Sequence, residues 1–185
     1  LPSLTSVGTT GLNQDVAALA AKIDYQDPAR QKPKPPVTET ERIWYDDAFP
    51  SGAKVASSLG EPEYVTEPVY SGKKSVKVTG KETAQVYYQK GAADQIVPAD
   101  GKFFVHVYID PKDPAEEIMI QFNAGNWGHR AIWGKDKIDW GKKGTGERFP
   151  AGALPELGKW TKLEFDARSV ALKPGTKVKG FSFTV

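Results

Sequence analysis

From Arg42 onward, the chain consists of short stretches in which apolar and polar residues alternate, and most of these stretches end near Gly or Pro. A period of two places successive side chains on opposite faces of a β-strand. Helix-period segments, which would connect parallel strands, are nearly absent from this region. The pattern therefore predicts a mainly β fold, an antiparallel β-sandwich of the jelly-roll type, over residues 41–185. The expected strands are Ser75–Val78, Gln85–Gln89, Lys102–Ile109, Glu117–Phe122, Thr161–Phe165 and Lys177–Val185.

Residues 1–40 follow a different pattern. Apolar residues recur at helical spacing between Asn13 and Ile23, and Asn13 is a favourable N-cap, so a short N-terminal helix is expected. The stretch Asp27–Pro36 then holds four prolines and three cations. Such a Pro-rich linker is extended and solvated. A helix followed by a stiff linker is typical of a module that is tethered to something else.

The last predicted strand stops at Val185 in the middle of a β pattern, with no turn and no polar tail after it. A sandwich that ends on a core strand could be complete, or it could lack a final strand, and we favour the second interpretation. An open sheet edge would result, and an exposed domain needs such an edge covered, for example by a segment of a partner.

Composition excludes several classes of function. The 25 basic and 23 acidic residues leave a net charge of +2, too small a field to indicate binding to nucleic acid or to an anionic membrane surface. No run of about 20 apolar residues is present, so we expect no membrane insertion. The absence of cysteine excludes disulfides, thiolate metal sites, cysteine nucleophiles and covalent haem attachment within these residues.

Catalytic motifs are not evident either. The chain holds no Gly-x-Ser-x-Gly sequence and no cysteine that would serve as a nucleophile. A glycosidase needs two carboxyl groups on the same side of its cleft, whereas Glu116 and Glu117 are adjacent and so point to opposite faces of a strand. Glu164 and Asp166 share a face but lie beside Lys162, which indicates a solvated surface. We therefore expect that the chain is not an enzyme.

The segment Gly125–Gly141 has a different character, with three tryptophans, a histidine and several charges; we call it the Trp-rich segment. It does not have the pattern of a strand or of an amphipathic helix. Exposed aromatic and charged side chains on a loop indicate a binding surface, and indole rings stack on the apolar faces of sugars. The candidate ligand- or partner-binding residues are Asn126, Trp127, His129, Arg130, Trp133, Asp136 and Trp140.

Two alternatives remain open for this segment. Each Trp could be a plug that tucks a loop over a sheet, with the charges solvated beside it. A protein partner would also be bound by Trp and Arg, which dominate interface hot spots, so residue chemistry does not separate a polysaccharide from a protein. Arg130 and Asp136 could also form a salt bridge that braces the loop.

A second candidate surface is a strand face that carries aromatic and polar side chains, namely Phe104, His106 and Tyr108 together with Tyr87, Met119 and Gln121. In a sandwich, such a face is either a ligand groove or half of the core. For Phe104 and Tyr108 we favour the core.

The acidic turn at residues 110–117 is a candidate calcium site. Asp110, Asp113 and Glu116 could supply oxygen ligands, although their spacing matches no EF-hand loop. Acidic turns that contain proline are also common without a metal. Two well-separated histidines do not support a transition-metal site.

Four segments resemble, in the same order, a β-sandwich domain of large planctomycete-type multidomain proteins that carry cytochrome c-like domains. The most specific of them holds the pattern His-Arg-x-x-Trp-Gly-x-Asp, which begins at His129. The segments are Trp44–Ala53, Asn126–Ile138, Gly152–Glu164 and Val170–Phe181.

The resemblance implies a concanavalin-like, non-catalytic accessory or docking module of an exported protein, periplasmic or extracellular, whose partners are other domains or chains of a larger assembly. Haem would belong to those other domains, and this chain would hold no cofactor. The chain departs from the family pattern because it stops before the final aromatic, Gly-rich strand. The alternative function is a carbohydrate-binding module that uses the Trp-rich segment.

Overall fold

The computed structural model describes residues 41–185, of which Arg42–Val185 form one compact unit. The helix and Pro-rich linker expected over residues 1–40 lie outside the described residues. Within residues 41–185, no helix has the length and apolar character that a membrane span requires.

The described chain is mainly β, as the alternating pattern predicts. Within residues 41–185, the helical element is a 3-10 turn at Ala167–Val170. Twelve strands are present in this part of the chain: β1 (Val55–Ser57), β2 (Glu63–Val65), β3 (Ser75–Lys77), β4 (Gln85–Tyr88), β5 (Gln95–Ile96), β6 (Lys102–Tyr108), β7 (Glu117–Asn123), β8 (His129–Gly134), β9 (Phe149–Gly152), β10 (Trp160–Asp166), β11 (Lys177–Val178) and β12 (Gly180–Thr184).

Six of these strands form one sheet in the order β1-β4-β12-β7-β8-β9, and the others form the pairs β10-β6, β11-β5 and β2-β3. The stretch Lys177–Val185, expected as a single strand, is divided between β11 and β12, which belong to different sheets. β12 lies inside the large sheet and pairs with β4 on one side and β7 on the other. β12 therefore has a neighbour on both sides, and the edges of this sheet are β1 and β9.

The large sheet is not entirely antiparallel, which corrects the predicted architecture. β8 and β9 run parallel, and their register shifts between Ile132 and Trp133. Parallel neighbours cannot be joined by a tight hairpin and need a long crossover. Residues 135–148 form this crossover, which explains why the second half of the Trp-rich segment is irregular.

The core lies between one face of the six-stranded sheet and the β6-β10 pair. Phe122 of β7 stacks on Phe103 of β6, with ring centroids 4.3 Å apart, and lies 6.1 Å from Phe165 of β10. Trp44 closes the same cluster at 5.2 Å from Phe103. Such face-to-face packing is that of a β-sandwich, and burial of these rings is the main stabilising contribution.

The Trp44–Ala53 segment leads into the first strand, β1. Phe49 is buried at 7% exposure, and Ala53 N–H donates to the carbonyl of Pro50 at 2.9 Å, which closes a turn before β1. The Asp47 carboxylate accepts the backbone N–H groups of Lys73 and Lys74 at 2.6 and 2.8 Å. These donors hold the pKa of Asp47 below its usual value. The carboxylate thus ties the loop before β3 to the start of the domain.

Tyr88 makes a testable prediction about alkaline stability. Its side chain is fully buried, its hydroxyl has no hydrogen-bond partner among the described residues, and burial raises its pKa from 10.0 to about 12. The raised pKa means that the native state resists ionisation of the Tyr88 hydroxyl. The contribution of the neutral hydroxyl to the free energy of unfolding is therefore complete below pH 10 and is lost as the pH rises towards 12. We expect Tyr88→Phe to reduce this alkaline loss and to leave stability at neutral pH unchanged or higher by about 1 kcal/mol.

Urea unfolding of both proteins between pH 8 and 12 checks this. Burial also raises the pKa of Tyr45 to about 12, so part of the alkaline loss should remain in the variant. An identical pH profile for Tyr88→Phe and the parent would contradict the prediction.

Candidate functional site

The Trp-rich segment contains a strand, which the sequence pattern did not indicate. β8 pairs with β7 from Glu117↔Gly134 to Phe122↔His129 and with β9 on its other side. Pairing on both sides supplies hydrogen bonds to a stretch whose glycine-rich flanks favour loops. As a result, neighbouring residues of this segment lie on opposite faces of the large sheet.

Trp133 lies on the core side of β8. It is 4% exposed, and its ring meets Phe165 edge-on at 5.7 Å. A ligand at the protein surface does not reach a ring in this position. For this residue the structure supports the alternative interpretation, a tryptophan that plugs the core.

His129 shares the core side of β8, and its Nδ1 lies 2.8 Å from the carbonyl oxygen of Val170. This contact ties β8 to the end of the 3-10 turn. Asp136 also has protein partners: its carboxylate accepts from Arg148 Nε at 2.6 Å and pairs with Lys143 Nζ at 2.6 Å. The alternative of a salt bridge between Asp136 and Arg130 is wrong, because Arg148 takes that place. Hydrogen bonds from Lys143 and Arg148 lower the pKa of Asp136.

The opposite side of the large sheet carries polar side chains, and we call it the polar face. Alternation along each strand places two residues of each of four neighbouring strands there: Gln85 and Tyr87 of β4, Ser182 and Thr184 of β12, Met119 and Gln121 of β7, and Arg130 and Ile132 of β8. Tyr87, Ser182, Gln121 and Arg130 are in register and form one row across the sheet. Since neighbouring strands are about 4.8 Å apart, this row spans about 14 Å.

Hydrogen bonds fix the middle of the polar face. The Gln121 amide donates to Thr184 Oγ1 at 2.9 Å and to Gln85 Oε1 at 3.3 Å, while its oxygen accepts from Arg130 Nε at 2.9 Å. Ser182 Oγ lies 3.0 Å from Thr184 Oγ1. Gln121, Ser182 and Thr184 are at most 2% exposed, so they form a floor, whereas Gln85, Tyr87 and Arg130 are partly exposed above it.

Trp127 stands at one end of this face, in the β7–β8 turn. Its ring meets Tyr87 edge-on at 5.8 Å, reaching past β12, whose residue in this row is the small Ser182. The turn is held by Asn126, whose side-chain oxygen accepts the N–H of Gly128 at 2.7 Å. Asn126 is exposed and Trp127 partly exposed, so the indole is available to a ligand.

Trp140 is placed on the same side by the crossover. Ile138 and Trp140 pack on Met119 and Ile132, forming a small apolar cluster. Buried Glu117 anchors this loop because its carboxylate accepts the backbone N–H of Lys137 and that of Ile138, the latter at 3.0 Å. The crossover therefore covers part of the polar face and presents a second partly exposed indole there.

Arg130 lies between these elements. Nη1 donates to the carbonyl oxygen of Glu147 at 3.1 Å, and a Cβ on Gly141 would lie 2.8 Å from the same nitrogen. Burial lowers the pKa of the Arg130 guanidinium, and the nearby Glu147 charge partly opposes that shift. The absence of a side chain at Gly141 thus leaves room for the guanidinium under the crossover.

The carboxylates of the acidic turn at residues 110–117 do not converge on one point. Asp110 accepts the N–H of Lys112 at 2.8 Å, and Asp113 accepts from Thr79 Oγ1 at 3.0 Å. Glu116 pairs with Lys135 and Lys137. Across residues 41–185, no group of three or more His, Asp or Glu side chains is placed to hold a metal ion.

The second candidate surface is divided between two sheets. Tyr87, Met119 and Gln121 do share the polar face, but Phe104, His106 and Tyr108 lie on the outer side of β6. The core side of β6 is formed by Phe103, Val105 and Val107, so the expectation that Phe104 and Tyr108 are core residues is wrong. His106 instead stacks on Tyr70 with centroids 3.6 Å apart, and Tyr108 lies 5.8 Å from Trp160.

Of the candidate residues, the structure brings Trp127, Arg130 and Trp140 to the polar face, with Asn126 at its end. His129 and Trp133 face the core, and Asp136 is in an ion pair. Gln85, Tyr87 and Gln121 complete the site; their period-two spacing was visible in the sequence, but which strands would be neighbours was not. Comparison of the chain with protein-family models, with curated proteins and with solved structures finds no match.

Proposed function

We propose that this chain is a non-catalytic β-sandwich accessory module, of the jelly-roll and concanavalin-like kind, whose polar face binds saccharide. The observation that carries this proposal is a hydrogen-bonded, uncharged floor flanked by two partly exposed indoles, Trp127 and Trp140. A pyranose presents an apolar face to stack on such rings and hydroxyl groups for the partly exposed side chains beside them. Gln85, Tyr87 and Arg130 supply donors and acceptors of the kind hydroxyl groups need.

The chemistry of the surface favours a saccharide over an apolar protein partner. The large apolar residues that are exposed within the described chain are Ile43, Leu59, Tyr64, Tyr70, Ile96 and Leu157. None of them belongs to the polar face. The core of a protein interface is generally rich in apolar residues, which are exposed in the unbound protein. A sugar site instead combines a few aromatic rings with polar groups.

The arrangement of carboxylates supports binding without hydrolysis. Glycoside cleavage uses two carboxyl groups on opposite sides of the scissile bond. On the polar face of β7 the alternating residues are Glu117, Met119 and Gln121; Glu117 is 3% exposed, and its Oε2 accepts two backbone N–H groups. An amide such as that of Gln121 does not act as a general acid. Glu164, on β10, pairs with Lys102 and Lys162.

The second candidate function is docking within an exported, haem-associated multidomain protein, with haem held by other domains. Its support is the resemblance of the four segments and the six exposed apolar residues, none of which belongs to the polar face. Stable co-purification with haem-containing chains, unaffected by added saccharide, would favour this function over sugar binding.

Titration of the protein with soluble polysaccharides, followed by tryptophan fluorescence and calorimetry, tests the saccharide site. We expect Trp127→Ala to weaken binding at least about tenfold, since an aromatic anchor in a binding surface typically contributes 1–2 kcal/mol. Tyr70→Ala is the matched control, because this tyrosine is 54% exposed and lies on another surface. If no saccharide binds, or if both variants lose binding equally, the polar face is not the site.

A further inference from the structure

Arg130 is a partly buried cation without a carboxylate partner. Arg148, also in this part of the fold, has Asp136 at 2.6 Å. Within residues 41–185, no carboxylate oxygen lies within salt-bridge distance of the Arg130 guanidinium. Glu147 is close, but it offers Arg130 its backbone carbonyl, and its carboxylate accepts the N–H of Lys142 at 3.0 Å.

The hydrogen-bonding capacity of this guanidinium is only partly used. A guanidinium has five N–H donors in a planar fork. Nε donates to Gln121 and Nη1 to Glu147, which leaves three N–H groups without an acceptor among the described residues. These are one hydrogen of Nη1 and both hydrogens of Nη2, which remain as donors for an acidic ligand.

The site around Arg130 is built rather than incidental. Removing a charged group from water is unfavourable unless it is paired, so an unpaired and partly buried guanidinium would be destabilising by itself. Here the ordered Gln121 amide orients Nε, and Gly141 leaves the space that the Nη1 nitrogen occupies. The residues in its row, Tyr87, Ser182 and Gln121, are uncharged, so Arg130 gives this part of the polar face its positive charge.

We infer that the polar face binds an acidic saccharide, an oligomer or polymer of uronic acid, whose carboxylate pairs with Arg130. The sugar rings lie against Trp127 and Trp140. This inference rests on the proposed saccharide function and adds the class of ligand to it. An acidic protein segment would offer the same carboxylate, but hydroxyl-binding groups and indoles without exposed aliphatic residues favour the sugar.

The test compares matched ligands that differ only in the charge of the carboxyl group. Oligogalacturonate and oligomannuronate are titrated into the full chain by calorimetry, each beside its methyl ester. We expect at least one acid form to bind about tenfold or more tightly than its ester, with an affinity that falls as salt rises. In Arg130→Gln this preference should disappear, while Arg130→Lys, which keeps the charge but not the fork, should retain part of it.

Lys142→Gln is the control for general electrostatics, since Lys142 is an exposed cation that follows Gly141 and should change affinity less than about threefold. Near-ultraviolet circular dichroism and the thermal midpoint establish that each variant is folded. If ester and acid bind equally, or if Arg130→Gln keeps the preference, the inference fails while saccharide binding stands. If no saccharide binds, the proposed function fails as well. Binding of poly-glutamate in an Arg130-dependent manner, in the absence of any uronate binding, would assign the face to an acidic protein partner and overturn the inference.

Discussion

Replacing Trp133 with alanine is expected to lower the free energy of unfolding by about 3–5 kcal/mol, the usual cost of truncating a buried aromatic side chain. Trp133 is 4% exposed and packs on Phe165 across the two layers. Gly152 lies beside the ring, since a Cβ added to this glycine would lie 3.4 Å from Cδ1 of Trp133. The substitution leaves a cavity in the core that the strands on either side of β8 cannot fill. Urea denaturation followed by far-ultraviolet circular dichroism measures the loss.

Trp127→Ala is the matched variant for this prediction, since it removes the same side chain six residues earlier. Its ring is partly exposed and touches Tyr87 edge-on, so we expect a loss of about 1 kcal/mol in stability and a large loss in saccharide affinity. Trp133→Ala should therefore lose mainly stability, whereas Trp127→Ala should lose mainly saccharide affinity. A Trp133→Ala protein of undiminished stability that no longer binds saccharide would show instead that Trp133 contacts the ligand.

The second large effect is expected for Gly180→Ala, in the middle of the six-stranded sheet. A Cβ at this position would overlap the carbonyl oxygen of Tyr88 and would lie 2.7 Å from the Cα of Gln89. Both are backbone atoms at the end of the neighbouring strand β4, so no side-chain rotation relieves the overlap, and β12 or β4 must shift. We expect a loss of about 3 kcal/mol, at the upper end of what overpacking causes, measured as a shift of the urea midpoint.

Gly128→Ala provides the control for the glycine substitution. Its Cβ would approach the Asn126 side-chain oxygen at 2.7 Å, and a side chain can move where a strand cannot. Neither Gly180 nor Gly128 is in the left-handed backbone region, so the comparison isolates space from conformational strain. We expect Gly128→Ala to change stability by no more than about 1 kcal/mol. Equal losses in the two variants would show that the contact with Tyr88 is not the cause.

The two arginines of this part of the fold show how similar sequence contexts acquire different chemistry. Arg148 is neutralised by Asp136 and braces the crossover, whereas Arg130 is held by an amide and a backbone carbonyl. In the first arrangement, the charge of the arginine is paired within the protein. The second retains unused hydrogen-bond donors, which is why the proposed ligand class is acidic.

Much of the fold was predictable because alternation along a strand is a local property of the chain. The spacing around Phe103 and Phe122 predicted β6 and β7 closely, and it identified which side chains share a face of each strand. The Pro174–Gly175 pair is likewise a local turn signal, and a turn is present there, since Thr176 N–H donates to the carbonyl of Lys173 at 3.0 Å. Such signals depend on a few neighbouring residues and need no knowledge of the remaining chain.

The order of strands and the side of the sheet covered by each loop were decided only by the tertiary structure. Arg130 and Trp133 belong to one short segment, yet strand pairing directs Arg130 to the polar face and Trp133 to the core. Arg148 rather than Arg130 meets Asp136 because β8 and β9 are parallel and the crossover returns residue 148 beside residue 136. These outcomes depend on pairing between residues far apart in sequence, where hydrogen bonding and burial of the whole sheet outweigh local preference.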